Sequence, residues 1–206
     1  MTQLSVGHYA MRCPSEDDLR WQVNTALAHG ANGLFWFFFY MRYPFENYRL
    51  APIDEHWEQT ETFHWLSRVN RTFLKWHAPV MQNLTLRRAH HVGQSWAGFP
   101  PLDGTGLVRA AEAAEPLIVS LFADPRGRDY VAVVNNSQTA SARATLTLNG
   151  RWNLQCVKFG YTQAQYDAWG VMDRGFSHGA TAAGEEFTSF SAWLAPGHME
   201  LYCVTD

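Results

Sequence analysis

The stretch that most constrains the fold runs from Leu34 to Met41, because every one of its residues is apolar or aromatic. It is too short to span a bilayer, which takes about 20 consecutive apolar residues. Gly33 precedes it and Pro44 follows it, and a short apolar run between such breakers is typical of a strand buried on both faces. The sequence therefore predicts a strand from about Gly33 to Tyr40 that belongs to a parallel sheet.

Helices are predicted on both sides of this strand. Ser15 with Asp18 three residues on is a helix-capping pattern, and apolar residues then recur at helical spacing, which predicts a helix from about residue 16 to residue 29. An apolar stripe at intervals of three and four predicts a second helix from about residue 58 to residue 76, ended by Pro79. Helix, strand and helix in this order indicate part of an α/β unit, and the sheet in which the strand must lie is missing.

The rest of the chain changes in character. Residues 89–116 are interrupted by glycines and prolines, and we predict a linker or long loop there rather than packed secondary structure. Alternating segments with turns such as Asn149-Gly150 then predict a small antiparallel β-sandwich over residues 117–206. The predicted strands are 117–123, 130–135, 142–148, 152–158, 186–193 and 198–204, with an irregular insertion over 159–184.

Composition excludes several classes of function. The formal net charge is −3 and the basic pair Arg87-Arg88 is isolated, so we expect no nucleic-acid partner. No apolar run of 18 residues occurs, so we expect no membrane partner, and the compartment stays open. His90-His91 and the other histidines follow no metal-ligand spacing, and no glycine-rich loop opens a helix, so no metal and no cofactor are predicted.

Several phrases resemble one known family. The string from Cys13 to Val23, the phrase from Ala26 to Gly33 and the aromatic strand resemble the last αβ segment of retaining (β/α)8 glycoside hydrolases of clan A, above all the β-galactosidase-like families. The phrase Asn70–Phe73 is similar to the final barrel helix of that group. The stretch Trp193–Tyr202 resembles the closing strands of the β-sandwich that follows many such barrels.

The resemblance implies an α+β chain in which a partial (β/α)8-barrel terminus (helix, strand, helix) over residues 1–88 is joined by residues 89–116 to the β-sandwich. Retaining glycosidases use two carboxylates about 5 Å apart. In this family they end strands four and seven, and both strands precede strand eight, so neither carboxylate maps onto this chain and no catalytic residue is assigned. The resemblance thus implies the C-terminal portion of a carbohydrate-active glycoside hydrolase that is inactive alone and needs the remainder of its barrel, a second copy or a partner chain.

The candidate substrate site lies at the end of the predicted strand and on the loop after it, because ligands of such barrels bind at the carboxyl ends of strands. Trp36 and Tyr40 are the candidate platforms for a sugar ring, with core packing as the structural alternative. Arg42, Glu46 and Asn47 are candidates for hydrogen bonds to the hydroxyls of an oligosaccharide or glycoside, with ordinary surface polarity as the alternative.

The acidic residues from Asp54 to Glu61 are interpreted as partners of a helix dipole rather than as catalytic carboxylates. A hypothesis of another class is a non-catalytic carbohydrate-binding or partner-interaction protein whose β-sandwich is the functional unit. In that case Trp152 and Trp169 would stack on a glycan, with domain packing as their alternative. A third hypothesis is homodimerisation through the aromatic strand.

Overall fold

A computed structural model of the chain describes residues 13–36, 39–40, 51–94, 98–158 and 176–206. Over these residues the fold is mixed α+β, with a helical layer packed against one face of a two-sheet antiparallel β-sandwich. The helical elements are α1 (Glu16–Ala28), α2 (Glu61–Thr72), a π-helical turn (Phe73–His77) and α3 (Ala78–Met81). The strands are β1 (Thr85–Val92), β2 (Val108–Glu112), β3 (Leu117–Ala123), β4 (Asp129–Asn135), β5 (Ala142–Asn149), β6 (Asn153–Cys156), β7 (Ser177–Ala180), β8 (Glu186–Leu194) and β9 (Met199–Thr205).

Helix α1 forms where it was predicted, and its start is a capping box. The Ser15 hydroxyl accepts from the Asp18 amide at 3.2 Å, and the Asp18 carboxylate accepts from the Ser15 amide at 2.7 Å. Leu19, Val23 and Leu27 are buried on its inner face. The cap satisfies amides that would otherwise lack partners, and the apolar stripe holds the helix against the sandwich.

The second helical region extends beyond the predicted end. Helical structure continues through Pro79 to Met81, so the prediction that Pro79 ends the helix is wrong. The amide of Ala78 donates to the carbonyl of Phe73, the wider pattern of a π turn. Pro79 then lies in the first turn of α3, directly after the π turn, and the first turn is the part of a helix that best accommodates proline.

The antiparallel β-sandwich is confirmed. One sheet has the order β1-β3-β4-β9-β6 and the other the order β2-β5-β8-β7. Large side chains such as Leu146, Phe190 and Tyr202 are fully buried in the cluster between the two sheets. The five-stranded sheet also buries its other face, where Phe122, Met199 and others pack with α1, α2 and α3. Its central strands are therefore covered on both sides.

The prediction that residues 89–116 lack packed secondary structure is wrong. β1 reaches Val92 and pairs with β3, and β2 pairs with β5. A β-bulge between Leu86 and Arg88 breaks the alternation of β1, and a second irregularity lies between Val108 and Ala110 in β2, which hides the period of two in the sequence. The glycines and prolines that suggested a loop lie between the two strands. β7 lies inside the predicted irregular insertion and was missed as well.

The predicted strand from Gly33 to Tyr40 does not form over the described residues 33–36. Tyr40 makes only an isolated parallel bridge to Ile53. Phe35 is 76% exposed and Phe39 is 48% exposed, so burial on both faces is wrong for these two side chains. A strand needs neighbours for its backbone groups and its side chains. In the part of the chain that the structure describes, no sheet lies beside Leu34 to Trp36.

Among the described residues, no helix has the length and apolar character needed to cross a membrane.

Candidate functional site

We use the name aromatic surface for four exposed aromatic side chains: Phe35, Phe39, Tyr40 and Trp57. The rings of Tyr40 and Trp57 stack, with centroids 5.6 Å apart and planes inclined by 16°. Trp57 is 76% exposed and Tyr40 is 45% exposed, so the stacked pair offers an accessible apolar face. Phe39 contacts Phe63 of α2 edge to face at 6.1 Å between centroids, which anchors this surface to the helical layer.

The loop before α2 holds Trp57 in place. The Asp54 carboxylate accepts from the amides of His56 at 2.8 Å and Glu58 at 2.9 Å, and the Asp54 carbonyl accepts from the amide of Trp57 at 3.1 Å. Trp57 has φ of 66°, a left-handed conformation that costs a residue with a side chain about 1–2 kcal/mol. An exposed indole held in a strained backbone is a feature found at functional sites.

This geometry corrects the interpretation of Asp54. α2 begins at Glu61, so Asp54 lies outside the first turn of the helix and its carboxylate closes the preceding loop instead. Glu61 does lie in the first turn, in agreement with the helix-dipole interpretation.

The predicted sugar-binding residues fall in different places. Tyr40 belongs to the aromatic surface. Trp36 is partly buried against the helical core, and its indole N–H donates to the side-chain oxygen of Asn70 at 3.1 Å, which favours its packing alternative. Arg42, Glu46 and Asn47 lie outside the described residues, so their roles stay predictions. No role was predicted for Trp57 from the sequence, because this segment was interpreted through its acidic residues, among them Asp54 and Glu58.

The tryptophans of the sandwich also differ in their surroundings. Trp152 packs against the core between the sheets, and its indole N–H donates to the carbonyl of Asn149 at 2.6 Å, which favours packing over glycan stacking. Trp169 lies outside the described residues. Trp193 on β8 is 55% exposed and was not singled out from the sequence.

A second site, which we call the α1–β1 cleft, lies between the end of α1 and the end of β1, with a volume of about 930 Å³. The residues that line it include Trp21, His29, His91, Phe99, Glu115 and Gln138. The Nε2 atoms of His29 and His91 are 2.9 Å apart. Phe99 stacks on His91 with centroids 4.9 Å apart and approaches His29 at 4.5 Å. Aromatic and polar groups thus converge in this cleft.

The two imidazoles have different surroundings. His91 is buried, and burial is the main cause that lowers its pKa, followed by the charge of His29; a hydrogen bond to the backbone of Gln94 opposes this. His29 lies at the C-cap of α1, and its Nδ1 is 2.7 Å from the carbonyl of Thr25. The pair is 62 positions apart in sequence, so only the folding of α1 against β1 brings it together. Local spacing carried no signal for it.

Comparison with known proteins identifies no relative: no family model, no curated protein and no solved structure matches the chain.

Proposed function

We propose that this chain is the C-terminal portion of a carbohydrate-active glycoside hydrolase. The observation that supports the proposal is the aromatic surface, whose four side chains are exposed although most large apolar side chains of the described residues are buried or half-buried. Exposed apolar patches of this kind mark interaction sites. In a (β/α)8 barrel, neighbouring strands and helices would cover part of this stretch.

Part of the order of elements agrees with the same proposal. Two helical regions, α1 and α2 with α3, precede a β-sandwich, as in the resemblance to clan A glycosidases, although the strand between them does not form over the described residues 33–36. Under this proposal the two catalytic carboxylates come from outside these 206 residues, and the remainder of a barrel, a second copy or a partner chain completes the site. The chain alone then hydrolyses no glycoside.

The first test is an assay of the purified chain on 4-nitrophenyl β-D-galactopyranoside and related aryl glycosides, with the coding DNA upstream of the Met1 codon read in frame. We expect no hydrolysis by the chain and an open frame of about 300 codons, the size that a whole barrel requires. Hydrolysis that is lost when a carboxylate of this chain is changed, for example in Glu46→Gln, would overturn the proposal. An upstream stop codon next to a ribosome-binding site would also count against it.

A second candidate function is carbohydrate binding without catalysis, favoured by the stacked pair of Tyr40 and Trp57. The apolar face of a pyranose ring packs on exposed aromatic rings, and Trp57, which stacks on Tyr40, is still 76% exposed and accessible to such a ring. This platform adjoins α2, through the contact of Phe39 with Phe63, whereas Trp152 and Trp169 of the sequence-based hypothesis belong to the sandwich.

The matched variants Trp57→Ala and Trp193→Ala test this second function by calorimetric titration with lactose, cellobiose and xylo-oligosaccharides. Both remove an exposed indole, but only Trp57 stacks on Tyr40. We expect Trp57→Ala to weaken binding at least tenfold and Trp193→Ala to leave it unchanged. Equal affinity in the two variants, or no binding by the unaltered chain, would exclude the platform.

A further inference from the structure

The α1–β1 cleft exists because α1 lies at two different distances from the sandwich. Near Trp21 the helix backbone touches the turn before β9, where a Cβ on Gly197 would lie 2.5 Å from the backbone nitrogen of Trp21. The carbonyl of Gly197 also accepts from the side-chain amide of Asn24 at 2.8 Å. About two turns further on, His29 reaches β1 only through two imidazoles, whose Nε2 atoms are joined by a hydrogen bond of 2.9 Å. The cleft occupies the gap that these contacts leave, and both Trp21 and His29 line it.

The walls of the cleft are fixed to one another. The indole N–H of Trp21 donates to the side-chain oxygen of Asn136 at 2.9 Å, and the backbone amide of Asn136 donates to the carbonyl of Pro116 at 2.8 Å. These bonds join α1 to the loop after β4. Phe99 stacks on His91 at the end of β1. Because the walls are already bonded to one another, a ligand does not have to order them, which lowers the entropic cost of binding.

The polar groups of the cleft include both donors and acceptors. Since the side-chain oxygen of Asn136 accepts from Trp21, the two N–H groups of this side chain are left to donate. The hydroxyl oxygen of Ser137 accepts from a backbone amide at 3.1 Å, which leaves its proton to donate. Glu115 supplies a carboxylate that accepts, and Gln22 supplies an amide that does both. A ligand that satisfies all of these groups must itself donate and accept.

The charge of the cleft disfavours ionic ligands. No lysine or arginine is among the described residues that line it, and burial lowers the pKa of His91, so this ring adds no positive charge at neutral pH. An anion such as phosphate would lie beside the carboxylate of Glu115 without a cation to pair with it. An ammonium group would pair with Glu115 but would leave the donors of Asn136 and Ser137 without an acceptor. A hydroxyl group meets both needs, because it donates and accepts.

Apolar surface accompanies these polar groups. The indole of Trp21 and the ring of Phe99 line the cleft and are half-buried. A pyranose ring carries hydroxyl groups around its edge and C–H groups on its faces, so it can bond the polar groups and pack on an aromatic ring at the same time.

We propose that the α1–β1 cleft binds a neutral saccharide of one or two pyranose rings. Its volume of about 930 Å³ lies within the range of small-molecule sites. The cleft shares no residue with the aromatic surface. The inference therefore goes beyond the proposed function and does not depend on it.

The test follows hydrogen exchange of the purified chain by mass spectrometry, with D-galactose, D-glucose, lactose or cellobiose as the probe. With at least one of these sugars, we expect the amides of residues 21–29 and 136–139 to exchange at least about threefold more slowly, while those of β7 keep their rates. Inorganic phosphate, tetramethylammonium chloride and adenosine are the comparison probes, and we expect none of them to protect these segments.

Matched variants assign the protection to side chains of the cleft. Gln22→Ala keeps a good helix former in α1 and is expected to weaken the affinity for the protecting sugar at least tenfold in calorimetric titration. Gln82→Ala removes an exposed glutamine after α3 and is expected to leave the affinity unchanged. Trp21→Ala and Trp193→Ala form a second such pair, with the loss expected only in Trp21→Ala. Circular dichroism checks that each variant folds.

Three results would overturn the proposal. The first is that none of the four sugars protects residues 21–29 and 136–139, or that only a comparison probe does. The second is unchanged affinity in Gln22→Ala and in folded Trp21→Ala. The third is protection by sugar at residues 54–58 alone, which would leave the platform of Tyr40 and Trp57 as the binding site and the cleft without a ligand.

Discussion

The interior of the β-sandwich and the aromatic surface are made of the same kinds of side chain, but the first is buried and the second is exposed to solvent. Phe190 is fully buried between the two sheets, whereas Phe35 is 76% exposed. β8 finds β5 and β7 on either side, while Leu34 to Trp36 have no adjacent strand among the described residues. Apolar character alone therefore does not bury a residue, because burial also needs a neighbouring element to pack against.

The largest expected effect contrasts two substitutions of one residue type. Phe190→Ala leaves a cavity in the sandwich and is expected to lower the free energy of unfolding by about 3–5 kcal/mol. Phe35→Ala removes an exposed ring and is expected to change it by less than about 0.5 kcal/mol. Urea unfolding followed by circular dichroism measures both. A loss of more than about 2 kcal/mol in Phe35→Ala would mean that the aromatic surface is covered in solution.

The next effect concerns the boundary between the helical layer and the sandwich, where His77 is buried. Burial is the main cause that lowers the pKa of His77 to about 4; His198 and Lys158 lower it further, and Glu200 opposes them. Below pH 6.5 the unfolded chain binds a proton that folded His77 takes up only near pH 4, so stability falls across this window. The separation of the two pKa values corresponds to a loss of about 3 kcal/mol by pH 4.

His77→Leu tests that loss, because it removes the titrating group and retains an apolar side chain of similar size. We expect its free energy of unfolding to fall less between pH 7 and pH 4 than that of the unaltered chain, with the exposed His64→Leu as the control. The lowered pKa of His91 acts in the same direction and leaves a residual slope in both variants. Identical pH profiles for His77→Leu and the unaltered chain would contradict the assignment.

The smallest expected effect is an increase in stability. Trp57 has φ of 66°, which glycine adopts without strain, so Trp57→Gly is expected to raise the free energy of unfolding by about 1 kcal/mol, less the lost contact with Tyr40. Thermal unfolding measures this change. If Trp57→Gly is instead clearly less stable, the indole contributes more to packing than its exposure indicates, and the platform for a sugar ring loses its main support.

The sequence predicted those elements whose signals are local. α1 is predicted by the capping box of Ser15 and Asp18, and β5 by the alternation in Ala144–Leu148. Neither prediction needs information from the rest of the chain. β1 was missed because a bulge breaks its alternation and because its partner, β3, follows a long connection. The contact between His29 and His91 could not be predicted either, because the two residues meet only through tertiary packing.

The candidate site was predictable in part. An aromatic stretch between two helices was recognised, and Tyr40 does lie on an exposed surface. Trp57 was not recognised, because a single tryptophan among acidic residues forms no periodic pattern. Its position also depends on a left-handed backbone conformation in the loop that Asp54 closes. Phe35 is exposed, whereas Trp36 is packed and donates a hydrogen bond to Asn70 of α2. Their neighbours in sequence do not predict this difference, because the partner of Trp36 lies 34 positions further along the chain.

The five-stranded sheet, covered by the helices on one face and by the second sheet on the other, has a consequence for hydrogen exchange. The backbone amides of β4 lie between β3 and β9 in the middle of three layers, so solvent reaches them only when the layers separate. Their exchange should report the opening of the whole fold, while amides near Phe35 and Trp57 exchange through local fluctuations. A barrel partner bound to the aromatic surface would slow exchange there and leave β4 unchanged.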